Sequence, residues 1–165
     1  MTRKEMSEIF AALLLAYPNA EVFKGGIQKL RPTIELWTAA LPEVDYWLGQ
    51  RALIRVVREC KFPPSIAEFR EAAKHEQADA DNVCYTAWFL LTSQFDRSEL
   101  ESVETLRPTD PHTARAIEIM GGVQSLQRET AYLEFQAAYQ KALRETKPLK
   151  LTPAAENVRR IGDKT

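Results

Sequence analysis

The chain has 165 residues, of which 45% are apolar and 27% are charged, as is ordinary for a soluble globular protein. Its formal net charge is −1 at pH 7, and no segment is basic enough to indicate a nucleic-acid-binding protein by charge alone. The apolar stretch near the N-terminus contains Glu8, lacks a signal-peptide cleavage site and is too short to cross a bilayer. We therefore expect a cytoplasmic protein that does not enter a membrane.

Three helices are predicted in the first 60 residues. Residues 3–17 repeat apolar side chains at the spacing of one helical face. That face comprises Met6, Ile9, Phe10, Leu13 and Tyr17. Residues 32–41 predict a second helix, which begins at a proline, carries Trp37 and stops at the next proline. Residues 44–60 predict a third helix with one apolar stripe and one arginine stripe.

The third helix runs into the most informative stretch of the chain, residues 62–68, with the sequence Phe-Pro-Pro-Ser-Ile-Ala-Glu. Pro63 and Pro64 cannot continue a helix, since each lacks an N–H and disfavours helical geometry in the residue before it. Ser65 is placed to cap a new helix, and Glu68 follows three residues later to complete a capping box. We therefore expect a rigid corner that joins the third helix to a fourth.

The corner predicts where the N-terminal core lies. Phe62 can fold back onto the apolar layer that the third and fourth helices share. We expect Trp37, Trp47 and Phe62 to meet there in one core. The two cysteines, Cys60 and Cys84, lie in apolar helical patterns and are expected to be reduced and buried.

The second half of the chain also predicts helices. The apolar pattern breaks at residues 75–82, which form either a polar helical extension or a boundary. Residues 83–95 predict a helix that is apolar on several faces, and such a helix requires burial on several sides. After the acidic loop 96–110, Asp110-Pro111 begins a short helix that closes at a Gly-Gly pair. A final helix is predicted over residues 129–144.

These patterns indicate an all-α protein, because no stretch alternates for long with the two-residue period of a strand. We expect a compact N-terminal helical bundle over residues 1–76 and a second, smaller helical region over residues 77–147. Residues 148–165 have few large apolar groups and are expected to form a flexible tail.

Recognisable catalytic motifs are absent from the sequence. Neither Gly-Gly pair has the lysine and helix start that a phosphate-binding loop needs. His75 and His112 have no ligand partners at metal-binding spacing, and no Ser/His/Asp or Cys/His signature is present. We therefore expect a protein that is not an enzyme and that uses no cofactor or metal.

Two features are candidates for partner binding. Arg51, Arg55 and Arg58 form one row on the third helix, which is either a solvated face or a contact for DNA phosphates or an acidic partner surface. So few cations predict weak, salt-sensitive DNA binding at most. The aromatic row of the last helix is either part of the core or a face that docks in a partner's groove. That row comprises Tyr132, Phe135 and Tyr139.

The N-terminal part of the chain resembles a known family. Tyr17-Pro18-Asn19 ends the first helix, Trp37 and Leu41 lie on the second, and the third runs into Lys61-Phe62-Pro63-Pro64-Ser65-Ile66-Ala67-Glu68. This order is similar to that of the N-terminal domain of the bacteriophage replicative-helicase loader/inhibitor family. The resemblance assigns the motif residues a structural role. Those residues are Trp37, Phe62, Pro63, Pro64, Ser65 and Glu68.

The resemblance implies a phage or prophage DNA-replication protein that acts by binding. Family members bind the hexameric replicative helicase of the host, restrain it and help deliver it to an origin-bound initiator. The second half, through Tyr139, looks like the distal part of related phage replication proteins, and it implies a helicase contact there. Two alternatives remain at this stage, a helical DNA-binding regulator and a phage assembly adaptor.

Overall fold

The computed structural model describes residues 1–94, 108 and 110–145, apart from the side chain of Ile27. The α-helices are α1 (Arg3–Ala16), α2 (Gly26–Lys29), α3 (Arg31–Ala40), α4 (Tyr46–Glu59), α5 (Ile66–Thr92), α6 (Pro111–Ile119) and α7 (Ala131–Glu145). Short 3-10 helices lie at Glu21–Phe23 and Val123–Gln127. The described residues contain no strand, and the predicted all-α class with an N-terminal helical part is confirmed.

The described residues divide into two compact units. The N-terminal unit is built on Met1–Gln77 and the second unit on Ala78–Lys147. The predicted domain limits stay predictions, as does the folding of each part on its own. The predicted loop 96–110 (apart from residues 108 and 110) and the predicted tail 148–165 lie outside the described residues.

The core of the N-terminal unit forms where α1 packs against α3 and α4. The apolar face that the sequence predicts for α1 is buried there except for the half-buried Tyr17, and Phe10 lies against Trp37 at a ring-centroid distance of 5.1 Å. Trp37 also meets Phe69 edge to face at 5.5 Å, and Trp47 packs against the same core while staying partly exposed. The prediction that Trp37 and Trp47 belong to one core is therefore confirmed.

Local capping fixes where the first helices begin and end. Thr2 and Glu5 form a capping box at the start of α1, and the carboxylate of Asp45 accepts the backbone N–H of Leu48 at the start of α4. At the end of α4, the hydroxyl of Tyr17 lies within hydrogen-bonding distance of the carbonyl oxygens of Val56 (3.2 Å) and Cys60 (3.0 Å). This bond ties the end of α1 to the end of α4.

The proline corner forms as the sequence predicts. α4 ends at Glu59, before the two prolines, and α5 begins immediately after Ser65. The backbone N–H of Ser65 donates to the Glu68 carboxylate (2.7 Å), and the backbone N–H of Glu68 donates to the Ser65 hydroxyl (3.3 Å). Pro64 is buried and Pro63 is half-buried, so the corner is packed as well as capped.

The predicted position of Phe62 is wrong. Its side chain is 71% exposed, although we expected it in the core beside Trp37. The corner turns Phe62 outward, and Phe69, one turn into α5, occupies the core beside Trp37 instead. Lys61 lies near the face of the Phe62 ring, with its Nζ atom 5.8 Å from the ring centroid.

The two helices predicted on either side of residues 75–82 are one helix. α5 is 27 residues long, and the polar stretch forms its middle part. The stretch contains neither glycine nor proline, the two residues that most strongly disfavour a helix, so nothing in it forces a break. The predicted helical extension is confirmed, and the division between the two units also falls within this stretch.

The second unit packs the C-terminal half of α5 with α6 and α7. Its buried residues include Cys84, Leu91, Ile117 and Phe135, and α6 packs closely on α7. The predicted cap at Asp110 is present, because its carboxylate accepts the backbone N–H of His112 (2.8 Å) and of the next residue (3.0 Å).

Gly121 and Gly122 end α6 with positive φ angles of 92° and 103°, a conformation that other residues rarely adopt. The Gly-Gly pair thus closes the short helix, as the sequence predicts. The last helix, α7, follows a 3-10 helix and begins two residues later than predicted.

Candidate protein-interaction surfaces

Two parts of the surface, one on α4 and one on α5, have side chains that a partner could reach. Within the described residues, no group of three or more His, Cys, Asp or Glu residues is placed to hold a metal ion. In the same part of the chain, none of the helices combines the length and apolar character that crossing a membrane would need. The two surfaces described next are one cationic cavity in the N-terminal unit and one apolar face in the second unit.

The first surface is built around the predicted arginine row of α4. Glu76 of α5 reaches this row, and its carboxylate accepts the Nε–H groups of Arg51 and Arg55, both at 2.8 Å. Glu76 is only 8% exposed, and a carboxylate this buried needs charged partners because it has lost its water. One acidic side chain therefore holds two guanidinium groups in fixed positions.

The three arginines are not equivalent. Arg51 lies over the ring of Trp47, with its guanidinium carbon 5.1 Å from the ring centroid. Arg55 also lies 3.4 Å from the carboxylate of Glu59, one helical turn away. Arg58 is exposed and makes no ion pair or hydrogen bond with its side chain within the described residues.

These side chains surround an open cavity of about 340 Å³, here called the arginine cavity. It is lined by Arg51, Ile54, Arg55, Arg58, Glu59 and Glu76. Among these lining residues, three guanidinium groups face two carboxylates. Sequence reasoning found the arginines but missed Glu76, because only the unbroken course of α5 brings residue 76 beside residues 51 and 55.

The aromatic row of α7 lies mostly inside the second unit. Phe135 and Tyr139 are fully buried, and Tyr132 is half-buried with its ring 5.5 Å from that of Trp88. Burial, followed by the nearby charge of Asp110, raises the pKa of Tyr139 to about 12. These positions agree with the core alternative for Phe135 and Tyr139 and leave only Tyr132 partly accessible to a partner.

The second surface lies on α5 and corrects a prediction. We expected the apolar helix that begins at Val83 to be buried on several sides. Within the described residues it is buried on one side only, through Cys84, Ala87 and Leu91, because α6 and α7 both pack on that side. The rest of the helix circumference leaves four large apolar side chains exposed. This outer face of α5 comprises Val83, Tyr85, Phe89 and Leu90.

An apolar groove of about 490 Å³ continues from the edge of this outer face. Val83 and Leu90 of α5 line one side of it, and His112 and Tyr139 line the other. Tyr85 and Phe89, which are 60% and 59% exposed, lie one helical turn apart. Clustered apolar surface of this kind is typical of a protein interface.

One comparison with known protein families gives a match, and the matched residues include part of the first surface. The family model for the N-terminal domain of a phage helicase inhibitor/loader protein matches residues 1–70. This is the family that the sequence resembles, so the resemblance of the N-terminal part is confirmed. The match contains the proline corner and the arginine row, and it stops before Glu76 and before the outer face of α5.

No curated protein matches the chain, and no solved structure matches it.

Proposed function

We propose that the chain is a phage or prophage DNA-replication protein that binds the hexameric replicative helicase of the host bacterium. The observation that carries this proposal is the family match over residues 1–70, which contains the Phe-Pro-Pro-Ser-Ile-Ala-Glu corner. The protein acts in the bacterial cytoplasm, by binding and without chemistry of its own. It restrains the helicase in solution and helps load it at an origin.

The proposed mechanism is a shift between two states of the helicase ring. A ligand biases such an equilibrium only by the difference between its affinities for the two states. Preferential binding to an open or inactive ring accounts for both restraint and loading. A second contact, to an origin-binding initiator protein or weakly to DNA, then brings the restrained ring to the origin.

We propose that the outer face of α5 makes the helicase contact. The supporting observation is the exposure of Tyr85 and Phe89, since aromatic side chains are frequent binding hot spots once a partner covers them. No other described helix combines four exposed large apolar side chains. This assignment agrees with the resemblance, which implies a helicase contact in the second half of the chain.

Co-elution on a sizing column with the purified host helicase, with and without ATP, tests the proposal. We expect a shared peak for the full chain and its loss in a double variant, Tyr85→Ser with Phe89→Ser. The matched control is Leu36→Ser, which removes an equally exposed apolar side chain (60%) from α3 of the N-terminal unit. The control variant should still share the helicase peak.

Two results would contradict the proposal. Separate peaks under every nucleotide condition would remove the helicase function and favour a phage assembly adaptor or a DNA-binding regulator. A shared peak that survives the double variant but not the control would keep the helicase function and move the contact away from the outer face of α5.

A further inference from the structure

The arginine cavity has features that folding alone does not require. Glu76 satisfies the Nε–H groups of Arg51 and Arg55, and it thereby holds both guanidinium planes in place. The Nη groups of Arg51 make no hydrogen bond within the described residues, and they remain able to donate. Donors that are fixed before binding lose little conformational entropy when a ligand arrives.

Arg58 completes the cavity with a charge that the described part of the chain leaves unpaired. Ile54 supplies an apolar wall between the arginines. The volume of about 340 Å³ is enough for one or two side chains of a ligand. The cavity therefore combines a planar, fixed donor, a free cation and an apolar contact.

The neighbouring surface adds apolar and cationic groups. Val57, next to Arg58 on α4, is exposed, and so are Lys61 and Phe62 just beyond the end of that helix. The capping box of Ser65 and Glu68 holds the corner that carries Phe62, so this aromatic side chain is presented on rigid backbone. Aromatic and arginine side chains are both enriched in protein-binding sites, and here Phe62 follows the arginine-bearing helix by three residues.

We propose that the arginine cavity binds a carboxylate side chain on an acidic segment of a partner protein. Arginine binds carboxylates with two parallel hydrogen bonds, and the guanidinium of Arg58, which pairs with no side chain among the described residues, matches one carboxylate of a partner. Phe62 contacts an apolar side chain of the same segment. The site lies wholly in the N-terminal unit, so it is separate from the helicase contact proposed for the outer face of α5.

A protein carboxylate fits this cavity better than a nucleic-acid backbone. Glu59 and Glu76 line the cavity and would repel successive phosphates of a DNA strand. A single carboxylate brings one negative charge into the cavity, whereas successive phosphates would bring several past Glu59 and Glu76. The cavity would then give the chain a second protein partner, recognised by acidic and aromatic or aliphatic side chains.

Nuclear magnetic resonance of the full chain tests this proposal. The probe is a short synthetic peptide of Glu, Phe and Leu residues, and the control peptide carries Gln in place of every Glu. We expect the acidic peptide to shift the Nε–H signals of Arg51 and Arg55 and the backbone signals of residues 54–62. The control peptide should leave these signals unchanged.

Variants locate the binding. Arg58→Glu should lower the affinity for the acidic peptide by about tenfold, equivalent to roughly 1.4 kcal/mol. Phe62→Ala should also lower this affinity, without lowering the melting temperature of the protein. Lys4→Glu makes the same charge change on an exposed position of α1 and should leave the affinity as it was. Arg58→Glu should also leave helicase co-elution intact, which separates this site from the proposed function.

Several results would overturn the proposal. The first is no shift with the acidic peptide, or an equal shift with the Gln peptide. The second is an equal loss of affinity in Arg58→Glu and Lys4→Glu. Shifts of the same signals by oligodeoxythymidine alone would assign the cavity to phosphates. Self-association of the chain that Arg58→Glu abolishes would assign it to a second copy.

Discussion

The two units of the chain differ in how they expose their large apolar side chains. In the N-terminal unit such residues are scattered over separate elements, as Leu15, Leu36 and Phe62 illustrate. In the second unit most of them lie within two turns of α5, on its outer face. Scattered exposed residues are normal on a soluble protein, whereas a cluster on one helix points to a partner.

The units also differ in how their aromatic rings are arranged. The N-terminal unit packs Phe10 and Phe69 around Trp37 and fixes its helix ends by bonds between distant segments. The second unit links its rings in a row, from Tyr132 through Trp88 and Phe135 to Tyr139, and places small residues such as Ala87 and Ala138 between its helices. We infer that the first unit, whose helix ends are tied together, serves mainly as a rigid platform, and that the second unit offers the outer face of α5 to partners.

Removal of a core ring should have the largest effect. Trp37→Ala should lower the free energy of unfolding by about 3–5 kcal/mol, because it opens a cavity between α1, α3 and α5. Urea unfolding followed by circular dichroism measures this change. The control is Leu36→Ala, an exposed neighbour, which should change stability by less than about 0.5 kcal/mol. Equal losses of stability in the two variants would show that Trp37 is not central to the core of the N-terminal unit.

Loss of the buried carboxylate should come next. Glu76→Gln should cost about 1–3 kcal/mol, since it leaves two guanidinium groups beside an uncharged amide, and the partial exposure of both arginines limits the cost. Thermal unfolding compares it with Glu71→Gln, which breaks only exposed pairs on the same helix. The control should cost about 0–0.5 kcal/mol. No difference between them would mean that Glu76 does not organise the arginine cavity.

Relaxation of the proline corner should have a smaller effect. Replacement of Pro63 and Pro64 by alanine should cost about 1–2 kcal/mol, because it adds freedom to the unfolded chain and lets α4 continue. Differential scanning calorimetry measures the change in melting temperature. Ser65→Ala, which removes only the cap, should cost about 1 kcal/mol. An unchanged melting temperature in the double proline variant would contradict the rigid corner.

The smallest effect concerns the second unit and depends on pH. Burial alone would raise the pKa of Asp110, but hydrogen bonds from Thr113 and His112 outweigh it and leave this pKa below its usual 3.8. The cap therefore stabilises the fold above the usual pKa and is lost as pH falls through the lowered value.

Stability measured from pH 6 down to pH 2 checks this sign, with Asp110→Asn as the comparison. The wild type should lose more stability than the variant over this range, because asparagine also caps helices but does not titrate. An identical pH dependence in both proteins would show that the cap contributes no pH-dependent stability.

Local signals in the sequence predicted most of the helices. Prolines, caps and one-sided apolar patterns lie within a few residues of the ends they determine, as at Ser65, Asp110 and the Gly-Gly pair after α6. The continuity of α5 was only one of two alternatives, because a polar stretch without a helix breaker fits both a helix and a boundary.

The sequence could not predict features that depend on distant contacts. The position of Phe62 depends on whether it or Phe69 occupies the space beside Trp37, and a sequence pattern gives no measure of that competition. The pairing of Glu76 with Arg51 and Arg55 depends on the register of two helices. The exposure of Tyr85 and Phe89 depends on which side of α5 the other helices cover.

The hydrogen bond from Tyr17 to the end of α4 couples the effects of substitutions at Tyr17 and at Pro64. In a continuing helix the carbonyl oxygen of Cys60 would accept the N–H of residue 64, but Pro64 has no N–H to give. The hydroxyl of Tyr17 reaches this oxygen at 3.0 Å from the far end of α1. The tyrosine and the proline are therefore complementary, and their substitutions should not be additive. Tyr17→Phe should cost less in a chain that carries Pro64→Ala, a coupling that a double-mutant cycle measures.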